Sequence, residues 1–145
     1  MPTIQDERQA LAEALANLLP LIHQKFARQT NFPVPPTHFF TLVCLYDHGA
    51  QTVTELSKFL QISKQQMSPI IEKLFRSGCV ERQQDPGDRR NTRISITNTG
   101  YRLLESHHAK LMELFCKRLQ QLTDEEAAQF YIAARNFGRF FAKLR

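Results

Sequence analysis

The residues best suited to do chemistry lie in one run, Asp85-Pro86-Gly87-Asp88-Arg89-Arg90-Asn91-Thr92-Arg93. It holds three arginines and two aspartates and no large apolar side chain. Pro86 and Gly87 favour a turn. Val80-Glu81-Arg82-Gln83 before it and Arg93-Ile94-Ser95-Ile96 after it read as short strands, so the run is expected at the tip of a β-hairpin. A projecting cationic tip suits a nucleic-acid groove, because a narrowed minor groove concentrates negative potential. The alternative is a solvated loop that is merely basic.

A second polar set lies upstream. Ser63-Lys64-Gln65-Gln66 has capping-box spacing, with Ser63 as N-cap and Gln66 reaching back. The helix it opens runs to about Ser77, where Gly78 ends it. Met67, Ile70, Ile71 and Leu74 recur on one inner face. Lys64, Gln65, Gln66, Ser68, Glu72 and Lys73 are left to point outward. Just before it, Thr52-Val53-Thr54-Glu55 has the same capping spacing and starts a shorter helix that ends near Leu60. Two short helices joined by the turn Gln61-Ile62-Ser63 form a helix-turn-helix, and the basic hairpin follows directly.

Other chemistries find less support. Cys44 and His48 stand at i, i+4 and share a helix face, a spacing open to zinc or to a thiolate–imidazolium couple. Cys44, however, lies in an apolar run with Leu42, Val43 and Leu45, which reads as a buried inert thiol. His107 and His108 are adjacent and point about 100° apart on a helix. Neither a Gly-x-Ser-x-Gly nor a His-Glu-x-x-His nor a phosphate-loop motif occurs. We therefore expect no enzyme, no cofactor and no resident metal. A metal- or thiol-responsive protein of the same fold and a winged-helix protein-interaction module stand as alternatives. The cysteines Cys44, Cys79 and Cys116 are odd in number and lack a Cys-x-x-Cys pair. They fit a reducing cytoplasm. Cys116, beside Lys117 and Arg118, is the one candidate for a lowered thiol pKa.

Composition fits this picture. The chain has 145 residues, 42% of them apolar, and a net charge of +5. The charge favours an acidic partner without naming it. The excess is uneven. Residues 1–51 carry three Lys/Arg against four acids, whereas 52–100 and 101–145 each carry eight against five. No stretch approaches the roughly 18 apolar residues of a membrane span. The first residues lack the pattern of a signal peptide.

The outer thirds read as helices. Leu11, Leu15, Leu18, Ile22 and Phe26 form an apolar stripe in a helix over 5–29, interrupted at Pro20, which should kink or split it. Asn31-Phe32-Pro33-Val34-Pro35-Pro36 is an extended connection, and 37–48 is a helix with Phe39, Leu42, Val43 and Leu45 for a core. A long helix spans about 99–122. Thr123-Asp124-Glu125-Glu126 caps the last one, whose Phe130, Ala134, Phe137, Phe141 and Leu144 make a near-heptad seam. Left exposed, such stripes form a large sticky patch. We expect them to pair with a second copy, with Leu11, Leu15, Leu18, Phe130, Phe137, Phe141 and Leu144 in the interface. The alternative is a helical bundle within one chain.

In this order the chain resembles the MarR family of winged helix-turn-helix transcriptional regulators. Gly78-Cys79-Val80-Glu81-Arg82, the run 85–90 and Ile96-Thr97-Asn98-Thr99-Gly100 look like the family's strand, wing and start of the fifth helix. Cys79, Ile96 and Pro69 depart from its usual pattern, and Pro69 should bend or widen the recognition helix. The resemblance implies a mainly α fold with a small β-hairpin wing. It implies a dimerisation helix and linker over 1–36, a DNA-binding lobe over 37–98 and dimerisation helices over 99–145. The partners implied are double-stranded DNA, a second copy and a small-molecule effector, with no membrane. Ser63, Lys64, Gln65, Gln66, Ser68 and Lys73 would serve the recognition helix in the major groove. Arg90 would enter the minor groove with its guanidinium held by Asp88, and Arg89 and Arg93 would meet phosphates. No residue of the sequence points to the effector.

Overall fold

Three hydroxyl-led caps set where helices begin. Thr52 Oγ1 accepts from the Glu55 backbone N–H at 3.2 Å, and Glu55 Oε2 accepts from that of Thr52 at 2.7 Å. Ser63 and Gln66 repeat the exchange at 3.1 and 3.0 Å, and Thr123 and Glu126 at 3.2 and 2.9 Å. Each pair satisfies amide donors that a helix start leaves open. The sequence spacing predicts all three.

The computed structural model describes residues 3–26 and 32–144, apart from the side chains of Leu19, His23 and Phe26. The elements are α1 Ile4–Phe26, α2 Pro36–His48, β1 Gln51–Thr52, α3 Val53–Leu60, α4 Lys64–Arg76, β2 Val80–Gln84, β3 Thr92–Ile96, α5 Asn98–Leu119 and α6 Asp124–Phe141. α1 remains one helix through Pro20, so the expected split does not occur; an interior proline removes one hydrogen bond and crowds one carbonyl, which a long helix survives. α4 runs as a helix from Lys64 to Arg76 with Pro69 inside it. The expected last residues of the first helix, 27–29, and the side chain of Phe26 lie outside the described residues, as does Asn31.

The chain divides into two compact units, Met1–His107 and His108–Arg145, with the boundary inside α5. The first holds an antiparallel sheet of order β1-β3-β2. β2 and β3 form the hairpin, with Val80 opposite Ile96, Arg82 opposite Ile94 and Gln84 opposite Thr92. β1, which was not anticipated, sets Thr52 opposite Arg93. The core beneath the sheet gathers Leu42, Cys44 and Leu45 of α2, Leu56 of α3, Met67, Ile70, Ile71 and Leu74 of α4, and Cys79, Val80 and Ile94. Each large apolar side chain buried there contributes about 1.5–3 kcal/mol.

The Thr-x-x-Gly run fastens α5 to this core. The Thr97 hydroxyl donates to the Gly78 carbonyl and accepts from the Gly100 N–H at 3.2 Å. The Thr97 N–H donates to the Cys79 carbonyl at 3.0 Å. Gly100 lies so close that a Cβ there would collide with the Cys79 carbonyl oxygen and the Ile96 side chain. Backbone can yield little, so glycine is required by space rather than by dihedral freedom.

Two histidines are buried in this unit. His107 of α5 packs edge-on against Phe39 at 4.6 Å and stacks on Phe32 at 5.4 Å. His38 of α2 meets the Thr37 hydroxyl at 3.4 Å through Nδ1, while its buried Nε2 has no hydrogen-bond partner. Burial, then the Lys73 ammonium, hold the His38 pKa below its ordinary 6.5.

The second unit is different. Phe130, Phe137 and Phe141 of α6 are 57, 43 and 54% exposed, and Leu144, expected on this helix, lies beyond its end at Phe141 and is 65% exposed; α6 buries no residue. Phe137 and Phe141 stack at 5.2 Å.

Two outcomes test this account. Gly100→Ala should lower unfolding stability by roughly 1–3 kcal/mol, as overpacking does, measured by urea denaturation; an unchanged midpoint would mean the Cys79 carbonyl can move aside. His38 should make stability pH-dependent. Its folded pKa is depressed, so the unfolded chain binds the proton first. The neutral form is fully favoured above about pH 6.5, and stability falls as pH drops below that value. His38→Phe should flatten the slope of unfolding free energy between about pH 7.5 and 5.5; an identical slope would assign the dependence to another group.

Candidate nucleic-acid interface

The outward face of α4 begins with Lys64 and Gln65, both exposed. The residues beside them are engaged in holding the helix start. Gln66 Oε1 accepts from both the Ser63 N–H and the Ser63 hydroxyl, at 3.0 and 3.2 Å. Ser68 Oγ donates to the Lys64 carbonyl at 2.9 Å. Of the six expected recognition residues, Lys64, Gln65 and the exposed Lys73 make no hydrogen bond or ion pair through their side chains among the described residues. Ser63, Gln66 and Ser68 have local partners.

Farther along, Glu72 gathers two cations. It accepts from Arg82 of β2 at 2.7 Å and from Arg76 at 3.1 Å. Arg82, then Arg76, hold its carboxyl below the ordinary range. The Arg82 guanidinium also lies over the half-exposed Phe75 ring, 4.8 Å from its centre. Sequence reasoning missed this group. The i, i+4 spacing of Glu72 and Arg76 is visible in the sequence; the approach of Arg82 requires the hairpin to fold back on α4.

The hairpin tip is tied by its aspartates. Asp85 Oδ1 accepts from the Gly87 N–H at 2.9 Å, and the Asp85 N–H donates to the Asn91 carbonyl at 2.9 Å. Asp88 Oδ1 accepts from the Arg90 backbone N–H at 3.0 Å and Oδ2 from the Asn91 amide at 3.4 Å. Asp88 thus fixes Arg90 through its backbone, whereas the family resemblance implied a grip on the guanidinium. Arg89 and Arg90 are exposed, and no ion pair among the described residues engages them. Arg93 differs: its guanidinium approaches Asp85 at 3.6 Å and Glu55 at 3.9 Å, and the side chain is 31% exposed.

The geometry therefore offers a helix start with a free cation and amide, and a rigid turn with two free guanidiniums. Such a set suits phosphates and base edges. It is poorly suited to metal chemistry. No group of three metal-ligating side chains forms among the described residues. Cys44 is buried, and burial, then Asp47, push its thiol pKa up. His48 faces the Phe59 ring instead, at 5.3 Å. Cys79 is buried and Cys116 exposed. No described helix is long and apolar enough to cross a membrane.

Known proteins share this arrangement. Residues 34–92, from α2 to the hairpin, match the MarR family. The chain is 30% identical over 121 residues to the uncharacterized HTH-type transcriptional regulator YsmB of Bacillus subtilis, spanning 83% of each. It is 31% identical over 101 residues to the HTH-type transcriptional repressor NicR of Pseudomonas putida, covering 66% of this chain and 64% of that one. Among solved structures, a MarR family protein from Bacillus stearothermophilus superposes with a TM-score of 0.76 at 24% identity, over 98% of this chain and 100% of the other. Wild-type MarR from E. coli in its apo form gives 0.66 at 23% identity, over 84% and 95%. With its winged helix-turn-helix, capped recognition helix and basic wing, the chain belongs to the MarR family, as a DNA-binding transcriptional regulator and not an enzyme.

Proposed function

We propose that the protein is a homodimeric, sequence-specific repressor that binds a near-palindromic operator and releases it on binding a small ligand. The observation that carries the DNA-binding part is the contrast among the arginines. Arg76, Arg82 and Arg93 approach carboxylates, while Arg89 and Arg90 at the wing tip are free and held by a tied turn. A free cation that costs no partner exchange is the one suited to a groove. In this reading Arg90 enters the minor groove and Arg89 meets a phosphate. At the start of α4, Gln65 reaches a base edge with the paired donor and acceptor that suit adenine, and Lys64 meets a phosphate. Ser63, Gln66 and Ser68 hold that start in place through their local hydrogen bonds. Lys73 lies farther along the same face.

The dimer reading rests on exposed apolar surface. Leu11 and Ile22 of α1 are exposed, and Leu15 and Leu18 are half-buried. Phe130, Phe137 and Phe141 of α6, and Leu144 just beyond it, are largely exposed. A second copy covers them, and a two-fold pair places half-site centres about one helical turn, ~10 bp, apart. For ligand response, Phe32, Phe39, Phe40 and His107 form an aromatic cluster with neighbouring rings 4.6–5.9 Å apart. In this reading it is the surface that a small apolar or aromatic molecule contacts. Such a repressor acts in the cytoplasm.

Two measurements test the proposal. Titration of operator DNA, found by selection from random duplexes, should give a log–log salt slope near −4, about −0.9 for each phosphate met by Lys64 and Arg89 of both protomers. Arg90→Ala should weaken operator binding by roughly 1–3 kcal/mol without lowering the melting temperature. A flat salt response would end the DNA-binding reading, and unaltered affinity would remove Arg90 from the groove. For the dimer, Phe137→Asp with Phe141→Asp should give a monomer, because charges in an apolar seam cost several kcal/mol. An intact dimer in sedimentation velocity would place the interface elsewhere.

A further inference from the structure

The structure assigns Arg93 to positioning the wing rather than to a phosphate, an inference that rests on the DNA-binding reading above. Arg93 stands on β3 opposite Thr52, the residue that caps α3. Its guanidinium lies between two carboxylates with other duties. Glu55 Oε2 accepts from the Thr52 N–H at 2.7 Å and faces Arg93 Nη2 at 3.9 Å. Asp85 Oδ1 accepts from the Gly87 N–H at 2.9 Å, while its Oδ2 faces Arg93 Nε at 3.6 Å. That Nε is buried and makes no hydrogen bond, so it is turned inward to the carboxylate and away from solvent. One side chain thus joins the capped start of α3 to the turn at the base of the wing tip.

Charge explains why a cation must stand there. Thr52 hydrogen bonds chiefly hold the Glu55 carboxyl below its ordinary pKa; Arg93 lowers it further and Asp85 raises it. The two carboxylates therefore feel each other, and Arg93 screens them. Without it, like charges would press the wing base away from α3, and Arg89 and Arg90 would move with the wing. A lysine keeps the charge but is a single point rather than a planar fork, and it spans two carboxylates poorly.

The sign of one substitution separates the two roles. Asp85→Asn removes a negative charge close to DNA but keeps an oxygen for the Gly87 N–H. A phosphate-binding Arg93, released from Asp85, would then bind DNA as tightly or more tightly. A positioning Arg93 loses half its anchorage, and operator affinity should fall by roughly five-fold, the scale of partly exposed ion pairs acting in two protomers. Arg93→Lys should lose about as much with an unchanged salt slope, since the slope counts phosphates met. Hydrogen exchange in the free protein supplies a readout that needs no DNA. The Asp85 and Asn91 amides, which close the wing turn, should exchange faster in both variants and at the wild-type rate in Arg89→Ala. Unchanged protection, or tighter operator binding by Asp85→Asn, would overturn the assignment. If the wild-type protein bound no duplex, the regulator reading would fail, while the exchange rates would still decide whether Arg93 holds the wing.

Discussion

The outward polar set of α4, proposed above to meet DNA, depends on the burial of the helix's other face. Met67, Ile70, Ile71 and Leu74 recur at i, i+3, i+4 and i+7 and all lie in the core. Because helical geometry is fixed at 3.6 residues per turn, committing these four commits the others. Lys64, Gln65 and Lys73 point to solvent as a geometric consequence of where the apolar residues go. The Ser63–Gln66 exchange then fixes where the helix starts, and so which side chains occupy its first turn.

The wing is held by a different kind of force. Its tip has no core beneath it, and no residue from Pro86 to Asn91 is buried. Order comes instead from short polar contacts, in which Asp85 and Asp88 each accept from a backbone N–H two residues on. Such Asx turns are local and legible in Asp-x-Gly and Asp-x-Arg. Behind the tip, β3 lies between β1 and β2, and Thr97 with Gly100 fastens its end to Gly78 and Cys79. A turn fixed by backbone contacts leaves its arginine side chains free, which a turn built on side-chain ion pairs would not.

Legibility in the sequence followed the range of the interaction. Helix starts, the buried face of α4 and the hairpin were readable, because each depends on residues a few positions apart. β1 was not, since two residues carry no periodicity and their pairing with β3 joins positions far apart in the chain. The partners of Glu72 and Arg93 were missed for the same reason: Arg82 reaches Glu72, and Arg93 reaches Glu55, only after the sheet has formed. A split of the first helix at Pro20 was over-read. Propensity states the cost of an interior proline but not whether the remaining hydrogen bonds carry the helix past it. The aromatic neighbours of His107 were likewise invisible, because Phe32 and Phe39 stand far from it in the chain.

The charge count illustrates the same point with functional weight. Residues 52–100 carry eight Lys/Arg against five acids, which suggests a broadly basic surface. Geometry divides that set. Arg76 and Arg82 share Glu72, and Arg93 stands between Glu55 and Asp85, so three of the eight already face carboxylates before any partner arrives. A phosphate reaching a paired guanidinium must displace its carboxylate, and much of the Coulombic gain is returned in that exchange. A phosphate reaching Lys64, Arg89 or Arg90 displaces only water and counterions. In the proposed reading, attraction is thereby concentrated at the first turn of α4 and the wing tip, while the paired arginines are already engaged by carboxylates. Uniformly free cations would bind any duplex strongly. On the proposed function, confining the free ones to two fixed points would make binding depend on where a duplex presents its grooves, which is the condition for reading sequence.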